Sequence, residues 1–104
     1  MAWVYLFIAG IFEVVWAIGL KYTQGFTRLL PTIITVIGMV ISFYFLSLAT
    51  KTLPIGTGYA VWTGIGAVGS VVLGIILFNE PYNLFRVLFL IFIIIGILGL
   101  KFTA

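Results

Sequence analysis

Seven side chains in this 104-residue chain carry charge, and one of them is out of place. Six lie at or just beyond the ends of hydrophobic runs, whereas Glu13 sits in the middle of one, "AGIFEVVWAIGLK" (Ala9 to Lys21). A charge at the centre of a membrane helix costs about 2.5 to 3.5 kcal/mol on insertion scales, so such a carboxylate is kept for a function or a buried partner. No Lys or Arg lies at the same depth, so its counter-charge must be a proton or a cationic ligand. The chain has neither cysteine nor histidine, which excludes disulfides, thiolate metal sites and imidazole relays. No metal or cofactor is expected, and any proton chemistry falls to the carboxylates. Helical spacing supplies the neighbours. Trp16 lies three residues after Glu13, on a face shared with Ala9, Gly10, Ala17 and Leu20. Ser42 is the hydroxyl nearest mid-depth in the second run, while Tyr59 and Trp62 lie three apart in the third, with Thr63 beside them. Taken singly, such hydroxyls usually bond their own backbone, and such aromatics usually anchor at interfaces. Around one unpaired carboxylate they describe a box for a cation, because aromatic faces attract cations most strongly when desolvated.

Residues so placed need apolar elements to hold them at depth. With 64% hydrophobic and 7% charged residues and a mean hydropathy of +1.40, the chain has too little polar surface to cover a water-soluble globule. A spanning helix takes about 20 mostly apolar residues, and four runs approach or meet that length: Ala2 to Leu20, Leu29 to Ala49, Ile55 to Phe78 and Leu84 to Leu100. The first has no basic region ahead of it, is too long for a signal core and carries Glu13, so it is expected to remain in the mature protein. The connections "KYTQGFTR", "KTLP" and "NEPYN" are short, punctuated by Gly25, Pro54 and Pro81, and Pro31 falls in a first helical turn, where it is tolerated. An all-α membrane protein follows, a single domain over residues 1–104 with helices near 2–21, 29–50, 55–78 and 84–101. The net charge of +3 comes from basic residues scattered at membrane borders, where their ends snorkel to water. It calls for lipid rather than nucleic acid.

Basic residues usually decide orientation, yet here they nearly cancel. Lys21, Arg28 and Arg86 lie on one side, against Lys51, Lys101 and the N-terminus on the other. Four helices in so short a chain also have difficulty enclosing a hydrated site alone. An oligomer is therefore expected, and with orientation undecided an antiparallel pair of identical chains is a candidate. Gly56, Gly58, Gly64, Gly66 and Gly69 crowd the third helix, "GTGYAVWTGIGAVG", a pattern that suits close packing or a hinge. Gly96 and Gly99 lie among bulky aliphatics in a fourth helix with no buried polar group, which suits dimer packing.

These motifs resemble the small multidrug resistance family over essentially the whole chain. The resemblance rests on "GIFEVVWAIGLKYTQGFTR", "LPIGTGYAVWTGIGAVG" and "NEP". It implies an antiparallel homodimer of dual topology in the bacterial inner membrane, exchanging protons for cations through the residue that matches Glu13. Trp16, "AVWTGIG" and Lys101 are similar to the guanidinium-exporting subtype, whereas the multidrug subtype has a small residue in place of Trp16. By the same resemblance Ser42, Trp16, Tyr59 and Trp62 fall on binding positions, with Ser42 orienting the glutamate, and Gly64 to Gly66 fall on a kink. A transporter, not an enzyme, is implied. Two rivals compete with a guanidinium and proton exchanger: an exporter of quaternary ammonium ions with the same fold, and a proton-conducting ring subunit, for which the aromatic box would have no purpose.

Overall fold

A computed structural model describes residues 1–103. It contains four α-helices: α1 (Ala2–Tyr22), α2 (Leu29–Ala49), α3 (Ile55–Phe78) and α4 (Leu84–Thr103). All four are long and apolar enough to cross a membrane. Their ends fall within a residue or two of those the hydrophobic runs predict.

Local chemistry explains where each helix stops. After α1, Gln24, Gly25 and Phe26 take positive φ values of 49°, 73° and 65° and reverse the chain. Thr23 steadies this turn, its hydroxyl donating to the Leu20 carbonyl at 2.7 Å and accepting from the Phe26 amide at 3.2 Å. Pro31 sits in the first turn of α2, where its missing N–H would have had no intrahelical partner. Pro54 is the N-cap of α3, and Asn79 ends that helix in the left-handed conformation (φ 52°, ψ 36°). Asn83 caps α4, its Oδ1 accepting the Arg86 amide at 3.0 Å.

The helices form a slab rather than a closed bundle. α1 packs against both α2 and α3, α2 touches α3 lightly, and α4 packs against α3 alone. The molecule measures 41 × 35 × 16 Å and is flattened in one direction. The buried core is correspondingly small: Leu6, Ala9, Ala49, Val61 and Trp62. No residue of α4 is buried, and a Cβ placed on Gly96 or Gly99 would meet nothing within 4 Å. An apolar cavity of about 700 Å³ opens between α1, α3 and α4, walled by Trp3, Phe7, Ile11, Ile94 and Leu98.

Candidate functional site

Glu13 lies where α1 meets α3, with only 8% of its surface exposed. Its carboxylate occupies the space that a side chain at position 66 would fill, since a Cβ on Gly66 would overlap the Glu13 carboxyl group. A glycine in the third helix thus makes the room in which the acid sits. One turn earlier the same seam is tight again, with a Cβ on Gly10 placed 2.6 Å from Ile65 Cγ2. Among the described residues no ion pair engages Glu13, and the only salt bridge lies elsewhere, between Lys21 and Glu80.

Ser42 joins three helices at this level. Fully buried, its hydroxyl donates to the Ala9 carbonyl of α1 at 2.6 Å and accepts the indole N–H of Trp62 in α3 at 2.9 Å. Among the described residues its partners are thus a backbone carbonyl and an indole, not the glutamate carboxyl. In a regular helix the Ala9 carbonyl is also the acceptor for the Glu13 amide, four residues on. Ser42 accordingly grips the turn that carries Glu13 rather than the carboxyl itself. Its hydroxyl also departs from the usual bond within its own helix.

The aromatic residues form a connected wall. Tyr59 and Trp62 have ring centroids 5.5 Å apart, Trp62 and Phe43 5.7 Å, and Phe43 and Trp16 6.2 Å. Tyr59, at 56% exposure, and Phe43 lie on the open face of the slab, whereas Trp62 is buried. The structure thus brings together Trp16, Ser42, Tyr59 and Trp62, and adds Phe43, whose place beside a mid-membrane serine in the sequence is that of an ordinary lipid-facing residue. Glu13 is tied to them by helix register alone, one turn before Trp16 on α1 and against Gly66, one turn after Trp62 on α3. Thr63 does not join them. One position past Trp62, it is turned about 100° around the helix axis and is exposed. The Trp16 indole nitrogen and the Thr35 hydroxyl are buried without hydrogen-bond partners among the described residues.

α3 runs unbroken through Gly64 and Gly66, and both are points of close approach. A Cβ on Gly64 would lie 2.9 Å from Ile97 Cδ1 of α4, as the one on Gly66 would overlap Glu13. Gly66→Ala should therefore push the carboxyl out of its seat. Overpacking of this kind costs about 1 to 3 kcal/mol of stability. Thermal unfolding of the purified variant beside the unaltered protein checks this, and an unchanged midpoint would mean that the carboxyl seat against Gly66 is unimportant.

Fold and site together define a multi-pass membrane protein of four short-looped helices built around one buried acid. The chain belongs to the small multidrug resistance family, whose model, described as "Small Multidrug Resistance protein", matches residues 1–93. It is 57% identical over 104 residues to a guanidinium exporter of Proteus vulgaris, covering 100% of both chains. It is 59% identical over 104 residues to a guanidinium exporter of Salmonella typhimurium, covering 100% of this chain and 99% of that one. A guanidinium exporter of Citrobacter freundii is 58% identical over 103 residues, 99% of this chain and 98% of the relative.

Proposed function

We propose that this protein is a proton-coupled antiporter that exports guanidinium and small guanidinyl cations across the bacterial inner membrane, working as an antiparallel homodimer. The observation that carries the reading is Glu13, an acid buried midway along an apolar helix without an ion-pair partner among the described residues, one turn from Trp16, which opens a connected wall of aromatic rings. A guanidinium ion is planar and presents N–H donors in a fork that suits a carboxylate, and its faces suit aromatic rings. The names of the relatives support the same substrate.

The slab supports a second copy. Its open face presents Tyr59 and Phe43, so one chain supplies half of a box. Two copies in opposite orientations would bring both Glu13 carboxyls to one cavity, where protons and a cation compete for them. Gly96 and Gly99, uncovered within the chain, would pack the α4 helices of the pair, and Gly64 and Gly66 would let α3 flex as access passes from one side to the other. If the empty, doubly charged site reopens rarely, downhill proton entry drives cation export. Because the two chains are identical, an exchange of roles converts each conformation into the same structure turned over in the membrane.

Trp16 separates this reading from export of quaternary ammonium ions. One turn from Glu13 and linked through Phe43 to Trp62, it narrows the site to planar cations. The test compares proton-coupled currents on supported bilayers with guanidinium and with tetraalkylammonium. Guanidinium and guanidines with one slim apolar tail should give currents, and bulky polyaromatic cations little or none. Trp16→Gly should cost guanidinium transport more than it costs any bulky cation. Large currents with tetraalkylammonium and none with guanidinium would overturn the substrate assignment and favour the multidrug alternative.

A further inference from the structure

A cation already rests in a second acidic and aromatic cage, at the far end of α1 and α3. Lys21 Nζ lies 3.8 Å from Glu80 Oε2 and 4.6 Å from the centroid of the Phe78 ring, which in turn packs against Tyr22 with centroids 5.2 Å apart. Glu80 is not a loose surface acid. The left-handed Asn79 turns the chain back over the end of α3, where the Glu80 amide donates to the Gly74 carbonyl at 3.3 Å. Its carboxyl group lies on Gly74, whose Cβ, if present, would be 2.9 Å from Glu80 Cδ. Under it is a cavity of about 260 Å³ that reaches inward to Ala17 and Ser70. These two residues are each one turn beyond Glu13 and Gly66, so the floor of the cavity stands about 6 Å from the level of the buried acid. Gly66, Ser70 and Gly74 on α3 and Ala17 on α1 form one seam of small residues, with Glu13 at one end and Lys21 and Glu80 at the other.

We infer that the cavity between Glu80, Phe78, Gly74 and Ser70 is an outer binding site for small guanidinyl cations, in which Lys21 is a tethered occupant that the arriving cation displaces. The identity of the ligand rests on the export reading above. Glu80 and Phe78 offer the same pair of attractions as the central site, a carboxylate and an aromatic face. At 3.8 Å the lysine makes a loose contact, longer than a charge-assisted hydrogen bond, whereas a forked guanidinium can form two parallel N–H···O bonds to the carboxylate. Tethering keeps the lysine at a local concentration on the order of millimolar, so a cation is received at the cage without being trapped there. In this water-exposed position the affinity should be weak, on the order of millimolar.

The test is a guanidinium chloride titration of Glu13→Gln protein in lipid bicelles at constant ionic strength, reading the amide resonances of Gly74 and Glu80. With the central acid neutralised, both amides should still shift and saturate. Adding Lys21→Met should lower the half-saturating concentration by about tenfold, because the tethered competitor is gone. Adding Glu80→Gln should abolish saturation, and Glu80→Asp should restore part of it. Tetramethylammonium, which has no N–H to donate, should give a much smaller response. A response that rises linearly like a salt effect, or that persists with Glu80→Gln, overturns the outer site. Proton-driven guanidinium flux through the unaltered protein is measured alongside. Flux without a saturable outer response overturns this inference alone, and a saturable response without flux overturns the export reading while leaving a cation site at Glu80.

Discussion

Glu13→Gln should leave the protein folded and abolish proton-coupled cation transport. The amide matches the carboxyl in shape, so it fits the space beside Gly66 that the acid now fills, and removing a charge from membrane depth relieves insertion cost. It can neither release a proton nor neutralise a cation, so both halves of the exchange fail together. Currents evoked by guanidinium under a proton gradient should fall to background, while secondary structure and yield stay at the level of the unaltered protein. Uphill export by the variant would end the proposed mechanism. In the unaltered protein the sign of the pH effect follows from the same competition. As pH falls, more of the acid is protonated and cation binding weakens; as pH rises, binding strengthens toward a plateau. An affinity independent of pH would remove direct competition.

The second large effect concerns orientation. Basic residues stand nearly in balance, Lys21, Arg28 and Arg86 on one side and Lys51, Lys101 and the N-terminus on the other, so single cysteines in "KTLP" should be labelled from both sides of the membrane in comparable amounts. Two added lysines in the first and third loops should drive every copy into one orientation. If the working unit is antiparallel, that variant expressed alone should lose nearly all transport. Co-expression with a variant carrying the added charge on the opposite side should restore it. Labelling from one side only in the unaltered protein, or full activity of a charge-locked variant expressed alone, would refute the antiparallel assembly.

The number of helices, their approximate ends and the place of Glu13 midway along the first were legible in the sequence because each depends on local composition over a turn or a span. Contacts that depend on how the helices are arranged were not. Nothing in "ISFYF" shows that Ser42 bonds the Ala9 carbonyl, because the acceptor is a backbone group that every residue possesses. Phe43 was invisible for a related reason: its neighbours in the wall, Trp16 and Trp62, come from other helices. Thr63 shows the converse, since four residues after Tyr59 it shares a helix face with that ring by spacing, yet in the structure it is exposed and takes no part in the wall. Gly66 was legible as a small residue for packing, but that the group packed against it is the carboxyl of Glu13 is a matter of helix register.

The thinness of the slab bears on what surrounds it. Apolar side chains gain little by exchanging acyl tails for a neighbouring helix, so the force that builds the core of a soluble protein is nearly silent here. Cohesion rests on close backbone approach at residues such as Gly10 and Gly66 and on the bonds of Ser42. With a short dimension of 16 Å and no buried residue in α4, almost every position of the chain lies at its boundary. Wherever a second copy does not cover it, the acyl tails act as an outer layer of the architecture, and the helices meet a change in the length or order of those tails directly.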